Sequence, residues 1–229
     1  MAYLWEALKT AIHLIVTLDP EVVEITWRSL RLSAASTLLA TIVCVPLGAL
    51  IAFHSFRGKR LLLNVIQALY SLPTVCVGIF VYAFIFGRGP LGSLGLVFTP
   101  TAIVIGQAIL ISPIMVGLTV SALSGVDKAI RDTTLSLGAS QSQAIWAIVK
   151  EARFGMGAAL ILGFGRAISE VGVATILGGN IDGFTRTITT TMSLEYNKGE
   201  FELSMALGII LLLVALVIAM MVNLVQQRR

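Results

Sequence analysis

Residues 125–153 read GVDKAIRDTTLSLGASQSQAIWAIVKEAR and lie between two long apolar runs. This is the longest interior stretch with a water-facing composition, and its internal order predicts two helices. Asp127 to Leu137 forms a first helical piece that stops at Gly138. Ser140 opens a second helix, with Gln143 as its capping-box partner. A helix–glycine–helix element on one side of a membrane suits a docking surface. It also suits an ordinary loop between spans.

The composition around this stretch sets the class. Of 229 residues, 57% are hydrophobic and only 12% charged, whereas a soluble domain carries about a quarter charged residues. The expectation is an all-α, multi-pass membrane protein, with residues 1–229 forming one transmembrane domain. A net charge of +4 reflects basic loops rather than nucleic-acid binding. Cys44 and Cys76 sit inside apolar runs without metal-ligand spacing and read as packing residues. The start, MAYLWE, lacks a basic region, and no A-x-A site follows, so a cleavable signal peptide is not expected. No Walker A motif and no Ser/His/Asp or Cys/His constellation is present, so neither nucleotide binding nor catalysis is expected. No cofactor or metal site is expected in this chain.

Five spans follow on either side of the loop. Residues 1–18 are amphipathic, with Glu6, Lys9, Thr10, His13 and Thr17 on one face. A helix from Tyr3 to Leu18 reaches ~24 Å, short of the ~30 Å hydrocarbon core, so an interfacial helix is expected. Asp19-Pro20-Glu21 reads as a helix start. It opens a first span over 20–55 that Pro46 should kink. The further spans are 61–87 (with Pro73), 99–124 (with Pro113 and an isolated Gln107), 154–177 and 203–225. Residues 125–153 are the loop between the third and fourth.

Positive charge orients the bundle. The segment 125–153, the basic turn FRGKR (56–60) and the C-terminus together hold nine of the sixteen Lys and Arg: Arg57, Lys59, Arg60, Lys128, Arg131, Lys150, Arg153, Arg228 and Arg229. The two opposite loops hold Arg88, Arg186 and Lys198. The 125–153 loop and the C-terminus are therefore expected in the cytoplasm.

The fourth span carries Arg166 and Glu170 in its middle. An ionised group at that depth is costly unless paired or hydrated, and such groups mark functional sites or hold helices together. Four residues apart, the two share a helix face and can pair. The Arg-before-Glu order is the weaker one, which leaves room for a partner on another helix. Glycines crowd the pair, and Gly163 and Gly165 would let a neighbouring backbone approach. In the outer loop, Thr185, Arg186 and Thr187 offer hydroxyls around one guanidinium. They form either a weak oxyanion contact or part of a threonine-rich surface helix.

Two stretches carry a family resemblance. Residues 132–151 are similar to the cytoplasmic signature loop of ABC-importer permeases, E-A-A-x3-G-x9-I-x-L-P. Asp132, Thr133 and Thr134 stand at the E-A-A places, Gly138 at the glycine and Ile148 at the isoleucine; Lys150 and Glu151 replace Leu-Pro. Residues 163–181, GFGRAISEVGVATILGGNI, resemble the fourth-span signature of molybdate, sulfate and tungstate permeases. With KEARFG before it, the stretch looks most like the tungstate group.

The resemblance implies a type I ABC-importer permease bundle in a prokaryotic cytoplasmic membrane. Implied partners are a second copy of the chain, two ATP-binding subunits and an extracytoplasmic oxyanion-binding protein. It implies that Asp132, Thr133, Thr134, Gly138, Ala139, Ser140 and Ile148 belong to the ATPase-coupling loop. Arg166, Ser169, Glu170 and Gly172 become candidates for the translocation pathway or gate. The expected cargo is tungstate or molybdate, with sulfate or another anion as the alternative. An ion-driven secondary transporter with Arg166 and Glu170 as its relay is the alternative of another class, and a non-transporting scaffold a third.

Overall fold

The computed structural model describes residues 2–227. These residues hold ten α-helices and no strand. The helices are α1 (Ala2–Val16), α2 (Pro20–Phe53), α3 (Lys59–Ala68), α4 (Thr74–Ile85), α5 (Pro100–Ser124), α6 (Lys128–Ser136), α7 (Gln141–Ile168), α8 (Gly172–Gly178), α9 (Ile188–Lys198) and α10 (Phe201–Gln227). Arg228 and Arg229, which enter the charge count, lie outside the described residues.

α5 is the centre of the bundle. It is apolar all round, as a helix enclosed by others must be, and Ile103, Ile111 and Met115 on it are fully buried. α2 makes the largest interface with it and α7 the next. Glycine makes the closest approaches possible. A Cβ on Gly48 of α2 would stand 2.8 Å from Thr119 on α5, and one on Gly163 of α7 would stand 2.6 Å from the Met115 sulfur. Gly165 has no neighbour within 4 Å of such a Cβ, so only the first of the expected pair lets a helix come close.

α2, α5 and the first 18 residues of α10 (Phe201–Ile218) are each long and apolar enough to cross a membrane unbroken. The other two expected spans are bent. α3 and α4 meet at 99° and α7 and α8 at 60°, which brings the total to five if each bent pair is one span. The first bend has a local cause. Pro73 has no N–H to give and disfavours helical backbone at Leu72, which is extended (φ −55°, ψ 130°). By contrast, α2 continues through Pro46 as one 34-residue helix.

Outward-facing apolar side chains on α2 (Leu38, Ile42, Leu47) and α10 (Leu212, Leu216, Met220) give the bundle a lipid-compatible exterior. α1 has only 15 residues. It packs against α10 and buries Ala7 and Ala11 completely. α2 begins as its sequence dictates: the Asp19 carboxylate accepts from the Val22 N–H at 3.1 Å, and Pro20 takes the first turn.

Candidate functional site: the broken fourth span and the loop that feeds it

The loop folds as its caps prescribe. Asp127 accepts from the Ala129 N–H at 2.9 Å and starts α6. α6 ends at Ser136, and Gly138 turns the chain with φ +85°. The Gly138 and Ala139 N–H groups return to the Leu135 and Thr134 carbonyls. Both bonds of the capping box form: the Gln143 N–H donates to Ser140 Oγ at 3.3 Å, and the Ser140 N–H donates to Gln143 Oε1 at 2.8 Å.

Asp132, Thr133, Gly138 and Ser140 are exposed, while Thr134 and Ala139 are half-buried. Ile148 lies underneath. It packs with Leu123 and Ala152 and fastens the start of α7 to the end of α5. Two apolar side chains stand out on this surface that the motif comparison passes over: Leu137, 83% exposed, and Trp146, 68% exposed. Their only sequence signal is apolarity in a polar stretch.

α7 then runs without interruption from the loop to Ile168, and there it breaks. The Arg166 guanidinium pairs with Glu170 at 2.7 Å (Nη1 to Oε2), and the other carboxylate oxygen accepts the Val173 N–H at 3.1 Å. Glu170 therefore lies beyond the end of α7 and caps the first turn of α8. This removes the order penalty expected from one continuous helix. The cation stands at a helix C-terminus and the anion at a helix N-terminus, so both helix dipoles favour the pair. Glu170 is enclosed, its side chain 2% exposed, while the Arg166 side chain is 32% exposed.

Non-helical backbone at membrane depth persists only where protein or water satisfies it. Here four side chains do so. Ser169 Oγ lies 3.0 Å from the Gly165 carbonyl and 3.2 Å from that of Arg166. The Gln107 amide donates to the Ala167 carbonyl at 3.1 Å, and Thr189 donates to the Glu170 carbonyl at 2.8 Å. Glu170 supplies the fourth contact. Gly172 lets the two bent spans meet, because a Cβ there would stand 2.7 Å from Thr74 Oγ1 at the start of α4.

The outer-loop residues have other partners. Thr185 is fully buried, donating to the Gly178 carbonyl at 2.5 Å and accepting from the Ile181 N–H at 2.9 Å. Thr187 caps α9 in a second capping box with Thr190. Arg186 faces Asp182 at 3.1 Å and Glu21 at 3.7 Å. The hydroxyls hold the loop and the guanidinium already meets two carboxylates. Thr187, Thr189, Thr190 and Thr191 are buried, rather than lying on a surface helix.

An open groove of about 890 Å³ between α2, α7 and α10 is lined by apolar side chains such as Leu38, Phe164 and Val214, and offers an anion no partner. Among the described residues no three His, Cys, Asp or Glu side chains come together as a metal site.

The chain resembles known proteins in sequence and in fold. Residues 44–229 match the family described as binding-protein-dependent transport system inner membrane component. The tungstate uptake system permease protein TupB of Peptoclostridium acidaminophilum is 38% identical over 218 residues, covering 95% of this chain and 96% of that protein. TupB of Campylobacter jejuni is 37% identical over 93% of this chain and 89% of its own length. Among solved structures, a chain of an amino acid ABC transporter crystallised with histidines superposes with a TM-score of 0.67. It is 18% identical and covers 94% of this chain and 97% of that one, a likeness of fold.

Proposed function

This chain belongs to the family of binding-protein-dependent transport system inner membrane components, and on that premise we propose that it is the membrane subunit of an ABC importer for tungstate or molybdate. The observation that carries the reading is the 38% identity to a tungstate permease across nearly the whole of both chains. In this reading ATP is hydrolysed on separate subunits, and an extracytoplasmic protein delivers the anion to a pair of permease chains.

The geometry supports a division of labour. The exposed loop, with Gly138 at its turn and Leu137 and Trp146 projecting, faces an ATPase subunit. α7 carries displacement from there to the break. At 28 residues it is ~42 Å long, so one rod joins the docking surface to Arg166 in its last turn, next to the break. The Arg166 side chain stays partly uncovered, and a partly exposed cationic residue within a span belongs beside water or another chain rather than lipid. Its charge attracts a dianion, and Glu170 beside it weakens the hold, which suits a path that releases its cargo.

Uptake of labelled tungstate and molybdate into cells lacking this gene tests the reading. Loss of uptake, restored by the gene, is expected. Undiminished uptake of both anions contradicts it, and loss of sulfate uptake alone moves the assignment to a sulfate permease.

A further inference from the structure

The isolated Gln107 has a place in the fold that the transport reading leaves unused. It lies in the interior of α5, 2% exposed, where Thr119 is the one other buried polar side chain of the helix. A buried amide needs partners, and Gln107 has two, each on a different helix. Its nitrogen donates to the Ala167 carbonyl at 3.1 Å. Its oxygen accepts from Ser36 of α2 at 2.7 Å, and the Ser36 hydroxyl hydrogen is shared with the Leu32 carbonyl, also 2.7 Å away. The amide orientation follows from chemistry, because a carbonyl can only be met by the N–H side.

The Ala167 carbonyl is a telling acceptor. In an unbroken helix it would take the Val171 N–H. Here it receives the Glu170 N–H at 3.2 Å in a tighter turn, together with the Gln107 amide. The preceding residue of α5 governs the other side of the break. A Cβ on Gly106 would stand 2.6 Å from Val173 Cγ1 and would also strike Leu177 on α8. Residues 106 and 107 thus hold the end of α7 and the body of α8 at once, one by a hydrogen bond and one by contact.

We propose that Gln107 is a positioning residue of the translocation pathway: it fixes the α7–α8 break, and with it the Arg166–Glu170 pair, to the layer formed by α2 and α5. The proposal rests on the reading of the break as part of the transport path. Movement of α7 driven from the loop then meets a fixed point at Ala167, and the force turns the ion pair instead of sliding the helix.

The test uses the assembled complex of permease, ATPase and binding protein in proteoliposomes, with labelled tungstate as the probe. Tungstate imported per ATP hydrolysed is compared between wild type, Gln107→Leu, Ser36→Ala and the double variant. In Gln107→Leu the ratio is expected to fall on the order of tenfold, the scale of one buried hydrogen bond. The double variant is expected to be no worse than Gln107→Leu, because the three groups act as one chain. An unchanged ratio, or import and hydrolysis falling together with the amount of folded complex, overturns the proposal.

A second arm reads the break without transport. Amide exchange at residues 169–172 is expected to accelerate in Gln107→Leu, and unchanged exchange there also overturns the proposal. Absence of tungstate import by the wild-type complex contradicts the transport reading instead, and the exchange arm still decides whether Gln107 holds the break.

Discussion

The Arg166–Glu170 pair shows how much depends on one side chain's surroundings. Glu170 is enclosed and uses both carboxylate oxygens, one on Arg166 and one on the Val173 N–H. Removing the cation alone leaves a buried anion with a single N–H partner, and breaking a buried pair costs on the order of 3–5 kcal/mol. Arg166→Ala is therefore expected to destabilise the protein by about 3 kcal/mol, the low end applying because Arg166 is part-exposed. The double change with Glu170→Ala is expected to restore part of that loss. Thermal unfolding of the detergent-solubilised chain measures both. Additive losses would mean that the two side chains act separately. The pair itself was legible as two charges four apart in an apolar run. Its strength was not, because the order rule for Arg and Glu assumes one continuous helix and the chain breaks between them. The threonines of 185–191 misled for a similar reason. Their polarity suggested a surface, yet each buried hydroxyl finds a carbonyl, an N–H or another hydroxyl nearby.

At the scale of elements, local grammar read well and tertiary bends did not. The helix ends at Asp19, Asp127 and Ser140, and the turn at Gly138, follow from capping and left-handed backbone that involve only neighbours in sequence. The bend before α4 had a visible cause in Pro73. The bend after α7 had none, because residues 163–178 contain no proline and the groups that stabilise it, Gln107 and Thr189, come from other parts of the chain. Pro46, unlike Pro73, does not end its helix: α2 continues through it. The loop offers a clean experiment. A Cβ at Gly138 meets nothing within 4 Å, so Gly138→Val acts only through the backbone, at about 1–2 kcal/mol for left-handed geometry. The variant is expected to assemble in normal amounts, hydrolyse ATP and import little tungstate. Normal import per ATP would remove the docking role from this turn.

Across the whole molecule, counting each bent pair as one span gives five, and in that count the loop and the outer segment 178–202 fall on opposite sides of the membrane. Cysteines introduced at Leu137 and Asp182, both exposed, are expected to react with an impermeant maleimide from the cytoplasmic and the outer side respectively. Labelling of both from one side would contradict the five-span topology. The general class was legible from composition, and the family from two stretches of signature. The arrangement of three helices around one break became visible only in the fold, since it depends on which glycines and polar groups meet.

The proposed function requires that this chain provide a path for an oxyanion and that the driving energy come from other subunits. Reconstitution tests it most directly, with labelled tungstate flux measured in proteoliposomes holding this chain alone or with its ATPase and binding protein. ATP-dependent import is expected only from the complete assembly. Ion-gradient-driven tungstate flux through the chain alone would contradict it.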